Sequence, residues 1–376
     1  MWACALLVVV TAGALICYSQ AQSPADPQKT ARPRRTADLP PSSPTPPPSR
    51  KDEEVTLQSD EVVRVETNLA NVFFTAADKQ KRFISTLKRE DIRVLEDGVP
   101  QEIFTFQQNP DLPLSLAILI DTSASEERTL PEEKAAARSF LEAVVHPEKD
   151  EAAVVSFTGE VTLEQGFTAN VARLRRAIDQ VEFVPPSGYM GGGVVVGGTP
   201  PISGTQQILA GSTAIWDAIW ATSHELLSKT AEHTRRAIIL LTDGEDTISK
   251  VKMDDAIERA IKADSLIYAI GIGDRYYFNV NEGALKKITD RTGGRAYFPR
   301  NERDLRQAFE QIQHDLREQY LVAYSPSNKA RDGSFRHTQI EIVNPELRKQ
   351  SLRLSYRQGY FAKTTDADVP QTKKRP

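Results

Sequence analysis

Apolar and polar positions along this chain change period from one stretch to the next. From Leu114 to Ile120 the residues are almost all apolar and uncharged, which predicts a short strand buried on both faces. Further strand-like runs occur at Ala152–Thr158, Ala237–Leu241, Leu266–Ile272 and Arg295–Phe298. Between them the spacing turns helical. Ala137, Phe140, Leu141, Val144 and Val145 share one face, with Pro131 suited to the first turn of that helix. Leu305, Ala308, Phe309, Ile312 and Leu316 share another, within a helix expected over Glu302 to Arg317. Strands alternating with amphipathic helices predict βαβ crossovers and an α/β fold with a doubly wound, mostly parallel sheet.

The flanks read differently. Val55–Leu57, Val62–Thr67 and Val72–Thr75 are β-prone. Ile92–Glu96 runs into Asp97-Gly98, a hairpin signal, and Gln101–Phe106 alternates imperfectly as a strand would. The β signal returns at Tyr320–Tyr324, His337–Val343 and Ser351–Tyr356 and closes on Gly359-Tyr360-Phe361. Neither flank alone holds enough strands for a stable sandwich. The expectation is therefore one small discontinuous β-sandwich domain, made of residues 55–110 and 320–362, with the α/β domain 111–319 inserted between them. The polar tail 363–376 is expected to fray, and the Pro-rich stretch 22–54 to be a disordered linker, because it cannot bury apolar area. No internal repeat is visible.

The amino terminus bears on localisation. Residues 1–18 carry no charged side chain, Ala3 to Ile16 is an apolar core, and Ser19-Gln20-Ala21 fits a small-residue cleavage site. Residues 1–21 are read as a signal peptide, although no Lys or Arg precedes the core; an uncleaved anchor is the alternative. Both cysteines, Cys4 and Cys17, lie inside this segment, so a mature chain would have no disulfide and no thiolate chemistry. Ile16 before Cys17 argues against lipid attachment there. The expected location is secreted, periplasmic or cell-envelope, with no membrane span in the mature chain. A net charge of -4 without a long like-charge block argues against nucleic acid as a partner.

The candidate chemistry begins where the first buried strand ends. Asp121-Thr122-Ser123-Ala124-Ser125 crowds acid and hydroxyl oxygens at a strand's carboxyl end, where open α/β sheets place their binding sites. Residues two apart can point the same way, so Asp121, Ser123 and Ser125 can converge on one point. Taken alone, the pentapeptide is equally a helix cap. Thr213, in Gly211-Ser212-Thr213-Ala214, opens a helical stretch whose core face is Trp216, Ile219, Leu226 and Leu227; it too is either a cap or a ligand. Asp243 ends a second buried strand and is followed by Gly244, Glu245 and Asp246, so it is either a turn residue or part of a negative field that a cation relieves.

Together these three pieces resemble the metal-ion-dependent adhesion site of von Willebrand factor type A domains. The resemblance spans residues 112–320, and it implies that Asp121, Ser123, Ser125, Thr213 and Asp243 are the five metal-site side chains. It implies a Rossmann-like sheet wrapped by helices, with the ion on its upper edge and the open coordination position filled by a Glu or Asp of a protein partner. The wider layout resembles a bacterial family of related proteins first noted in acidobacteria. Its signature before the domain matches Arg89-Glu90-Asp91-Ile92-Arg93-Val94-Leu95-Glu96-Asp97-Gly98, and its ending matches Tyr320, Tyr324, Pro326, Arg357, Gly359 and Tyr360. The helix 302–317 occupies the position of the family helix whose displacement couples the site to distant contacts; a simply docked helix is the alternative.

An all-oxygen donor set, with no His or Cys nearby, favours Mg²⁺, with Mn²⁺ as its close competitor. The Gly-rich stretch 185–212 enters just before Thr213 and is either a ligand-contacting loop or an insertion without a role. The five histidines, His146, His224, His233, His314 and His337, show no catalytic or metal-ligand spacing, and no nucleophile motif is present. The expected function is an exported, non-enzymatic adhesion or interaction protein holding a partner through a divalent ion. A structural subunit of an envelope complex and a metal-assisted hydrolase are the alternatives.

Overall fold

The computed structural model describes residues 69–80, 82–183, 185, 189, 212–273 and 280–364. The signal segment, the Pro-rich linker, the β-prone runs at 55–57 and 62–67, most of the Gly-rich stretch and the tail from 365 lie outside them.

The centre is a six-stranded sheet made of β5 (Leu114–Asp121), β6 (Glu151–Phe157), β7 (Val161–Thr168), β8 (Arg235–Thr242), β9 (Ser265–Gly271) and β10 (Ala296–Tyr297), in the order β10-β9-β8-β5-β6-β7. All neighbours run parallel except β6 and β7. Every residue of β5 is buried, as its unbroken apolar run requires of a strand covered on both faces. The edge strand β7 is half-exposed, and its apolar Val161, Leu163 and Phe167 are separated by Thr162, Glu164, Gln165 and Gly166, which hides it from a search for apolar runs.

Helices cover both faces. On one side α1 (Leu130–Val144), α2 (Val171–Gln180) and α6 (Glu302–Arg317) pack with Leu116, Ile118, Ile120, Ile239 and Leu241. On the other, α3 (Ile215–Ala221), α4 (Met253–Lys262) and α5 (Glu282–Thr292) pack with Ala117, Leu119, Ile238 and Leu240. Alternate residues of one strand thus enter opposite cores. The helical face read from Leu305 to Leu316 is buried in the first core.

Two antiparallel four-stranded sheets flank this unit. β1 (Ala70–Ala77) and β4 (Ile103–Gln108) join β11 (Tyr320–Tyr324) and β13 (Arg353–Tyr356) in the order β13-β1-β11-β4. β2 (Ile92–Glu96) and β3 (Val99–Gln101) join β12 (Phe335–Ile342) and β14 (Gly359–Phe361) in the order β14-β12-β2-β3. Each sheet draws strands from both sides of the α/β segment. Val72, Phe74, Val94, Ile103, Tyr320, Val322 and Ile340 form one core between them. The turn joining β2 to β3 has Asp97 at φ 49° and Gly98 at φ 80°, the left-handed pair that a two-residue hairpin needs. The short helix α7 (Pro345–Lys349) links β12 to β13.

Candidate metal centre

The site arises from strand register. β5 and β8 are neighbours and parallel, with Ile120 opposite Leu241, so both chains leave the sheet side by side at the same edge. Asp121 is the last residue of β5, and Asp243 follows the last residue of β8. Both are buried.

Asp121 is held from three directions. One carboxylate oxygen accepts from the Ser123 backbone N–H at 2.9 Å, and the other accepts from the Thr242 hydroxyl at 2.6 Å. The Ser123 side chain also bonds to it. The Thr242 hydroxyl in turn accepts the Gly244 N–H at 3.1 Å. The Ser123 and Ser125 hydroxyls lie 3.1 Å apart, and the Ser125 side chain bonds to Asp243. Asp243 accepts the Glu245 N–H at 2.9 Å. Asp121, Ser123, Ser125 and Asp243 therefore form one connected cluster.

Thr213 is joined to the cluster through the backbone. Its N–H donates to the Thr247 hydroxyl at 2.8 Å and its carbonyl accepts the Thr247 N–H at 2.9 Å, which ties it to the loop that begins at Asp243. The capping alternatives belong to other residues. The first N–H groups of α3 go to Asp246 and Ser249: Ile215 N donates to Asp246 at 2.8 Å, and Trp216 N donates to Ser249 at 3.1 Å. The α1 helix begins only at Leu130, beyond reach of a cap from Asp121 or Ser125. Asp246 spends its charge on the α3 terminus and on the Ser249 hydroxyl.

One group in the cluster was not foreseen. Residues Ala124–Glu126 form a single 3₁₀ turn, and it buries Glu126 completely. Asp121, Glu126 and Asp243 each offer a carboxylate oxygen, all within 4.8 Å of one another. In the sequence Glu126 sits in a polar run beside Glu127 and Arg128, which reads as solvated surface. Only the tight turn after Ser123 brings it inward.

The electrostatics follow. Burial, then the Asp243 charge, pushes Asp121 up to about 7. Burial and the neighbouring Glu133 raise Glu126 well above the ordinary carboxyl range. Burial raises Asp243 and pushes Glu133 up to about 7. Among the leading causes none is a positive charge. Buried like charges without a cation are costly, and a hard divalent ion with oxygen donors relieves that cost. The residues present thus fit such an ion.

Two models of the von Willebrand factor type A domain match the chain, one over residues 116–245 and one over 202–311. No curated protein matches. Among solved structures, the conserved hypothetical protein BatB from Bacteroides thetaiotaomicron is 16% identical, with 54% of this chain and 98% of that chain covered and a TM-score of 0.39. A von Willebrand factor type A protein from Catenulispora acidiphila is 13% identical, covering 80% and 74% at a TM-score of 0.44. Proximal thread matrix protein 1 from the mussel byssus, described with a zinc-occupied metal-ion-dependent adhesion site, is 19% identical, covering 59% and 49% at 0.42. Sheet order, strand-end acids and the matched segments agree: this chain is a von Willebrand factor type A domain protein.

Proposed function

We propose that this protein binds a protein partner through a divalent ion held by Asp121, Ser123, Ser125, Thr213 and Asp243, with the partner supplying an acidic side chain. The observation that carries the reading is the buried carboxylate cluster at the ends of two neighbouring parallel strands, closed by hydroxyls and lacking a positive charge among its leading determinants. Such an ion supplies an electrophilic point that a carboxylate from outside can join. The chain's own groups hold it: two strand-end aspartates carry the charge, and the Ser123, Ser125 and Thr213 hydroxyls are the neutral donors. All donors are hard oxygens, which supports Mg²⁺, with Mn²⁺ second.

A role as a binding module and not an enzyme is part of the same proposal. His224 lies against Trp220, His314 against Phe83 and His337 against Phe335, so these three rings have packing contacts, while His146 is hydrogen-bonded to Asp150. Export is proposed from the uncharged apolar segment at residues 1–18. No helix among the described residues is long and apolar enough to cross a membrane. On this reading residues 55–110 and 320–362 form a supporting β domain for the metal-binding domain 111–319.

The test is calorimetric titration with Mg²⁺ of the wild type, Asp121→Ala and Asp243→Ala, followed by partner capture from extracts with and without EDTA. Binding of the ion by the wild type alone, and capture lost with EDTA or either substitution, is the expected result. Equal capture in all conditions overturns the reading.

A further inference from the structure

The five-residue set leaves Glu126 without a task, yet it is completely buried among those residues. One of its oxygens accepts the Thr129 hydroxyl at 2.6 Å, which fixes the side chain. The other, Oε1, is buried with no hydrogen-bond partner. A buried carboxylate oxygen normally finds a donor, because leaving it bare forfeits its hydration without return. Here a Glu126 oxygen faces Asp121 and Asp243 at a spacing that suits three ligands of one ion.

We infer that Glu126 is a third carboxylate ligand of the metal, supplied from within the chain. The inference rests on the metal-binding reading above and deepens it. Glu133 is the natural comparison. It is just as buried and lies against Thr129 and Glu126, but it stands outside the three-carboxylate group. Glu133 acts on the site through its field; Glu126 reaches it. The Thr129 hydroxyl serves as the outer partner that orients a ligand.

The consequence concerns recognition. Asp121 and Asp243 alone neutralise a divalent ion, whereas a third carboxylate makes the loaded site anionic. An acidic side chain arriving from a partner then meets no surplus positive charge, and it competes with Glu126 for the ion. The free protein is thereby self-liganded, and that internal ligand weakens the pull on an incoming carboxylate.

The experiment uses the full chain and the metal alone. Mg²⁺ titration calorimetry compares wild type, Glu126→Gln, Glu133→Gln and Asp121→Asn, and Eu³⁺ luminescence decay in H₂O and D₂O counts the waters on the bound ion. Expected are a loss of about tenfold or more in Mg²⁺ affinity for Glu126→Gln, a loss of under about threefold for Glu133→Gln, and one additional water on Eu³⁺ in Glu126→Gln. An affinity of Glu126→Gln within about threefold of wild type, an unchanged water count, or an equal loss in Glu133→Gln overturns the inference. Should Asp121→Asn bind as well as wild type, the metal-site reading itself fails, which separates the two outcomes. In EDTA both Gln variants should melt no lower than wild type, since each removes a buried charge; Glu126→Met replaces Glu126→Gln if the latter does not fold.

Discussion

The Thr242 hydroxyl donates to the Asp121 carboxylate at 2.6 Å and joins the ends of two neighbouring parallel strands. Thr242 is the last residue of its strand and looks, in sequence, like the polar end of an apolar run. Its position beside Asp121 follows from register alone. The bond aims one oxygen of Asp121 and leaves the other to the Ser123 N–H.

Thr242→Val keeps the shape and removes both bonds of the hydroxyl, leaving a buried carboxylate oxygen and the Gly244 N–H unmatched. A loss of about 1–3 kcal/mol in stability is expected in EDTA, read by urea denaturation. Mg²⁺ affinity should also fall about tenfold, as it does when a ligand's outer partner is removed. Unchanged stability and affinity would show that Asp121 needs no such tether.

The buried acids set a pH dependence. Asp121 stands near 7 and Asp315 near 6, both raised chiefly by burial from an ordinary value of 3.8. Below about pH 4 the folded and unfolded chains both hold these protons. As pH rises the unfolded chain ionises first and binds fewer protons than the folded one, so the stability present in acid is lost up to pH 6 for Asp315 and pH 7 for Asp121. For Asp315 the loss is on the order of 3 kcal/mol. Carboxylates with lowered values, such as Asp78 and Asp332, act only below this window. Denaturation midpoints in EDTA should therefore fall between pH 4.5 and 7.5, Asp315→Asn should flatten the lower part, and saturating Mg²⁺ the upper. A level profile in EDTA contradicts the expectation.

A second buried charge holds the flanking sheets. Glu96 accepts from Arg336 at 3.3 Å, from the Tyr324 hydroxyl at 2.9 Å and from the Tyr360 hydroxyl at 2.8 Å. Arg336 also donates to the Asn328 and Ala330 carbonyls. Arg336→Met leaves Glu96 buried without its cation and should cost about 3–5 kcal/mol. The double variant Glu96→Gln with Arg336→Met should recover much of that, because no unpaired charge remains. A double variant as unstable as the single one would mean that packing, and not charge pairing, sets the cost.

Gly294 tests how closely the α5-to-β10 turn lies against β9. A Cβ there would come to 1.9 Å from the Ile267 carbonyl oxygen. Gly294→Ala should destabilise by about 3 kcal/mol or more, because strand backbone cannot yield as a side chain can. Gly166→Ala, with nothing within 4 Å of the added carbon, should stay within about 0.5 kcal/mol of wild type. Equal effects in thermal melts would dismiss the close approach.

Much of this molecule is legible one residue at a time. The apolar run at 114–120 is a fully buried strand because only a position covered on both faces tolerates so little polarity. The Asp97-Gly98 pair is a left-handed turn because few other residues adopt that backbone cheaply. The helix over 302–317 appears at the residues its spacing indicated. By contrast, β7 was missed: an edge strand with one wet face carries Thr, Glu and Gln and has no apolar run to find. Arg336 and Thr338 point inward on β12, where alternation alone would put apolar side chains.

By itself, then, the sequence determined where strands and helices form and which acids stand at strand ends, because those depend on local pattern and backbone preference. Which acids meet was decided by tertiary structure. The parallel pairing of β5 with β8 sets Asp121 beside Thr242 and Asp243, and the turn after Ser123 swings Glu126 inward. Carboxylates that repel one another stay together only because the burial of two hydrophobic cores holds the strands in register, and that balance is a property of the whole fold.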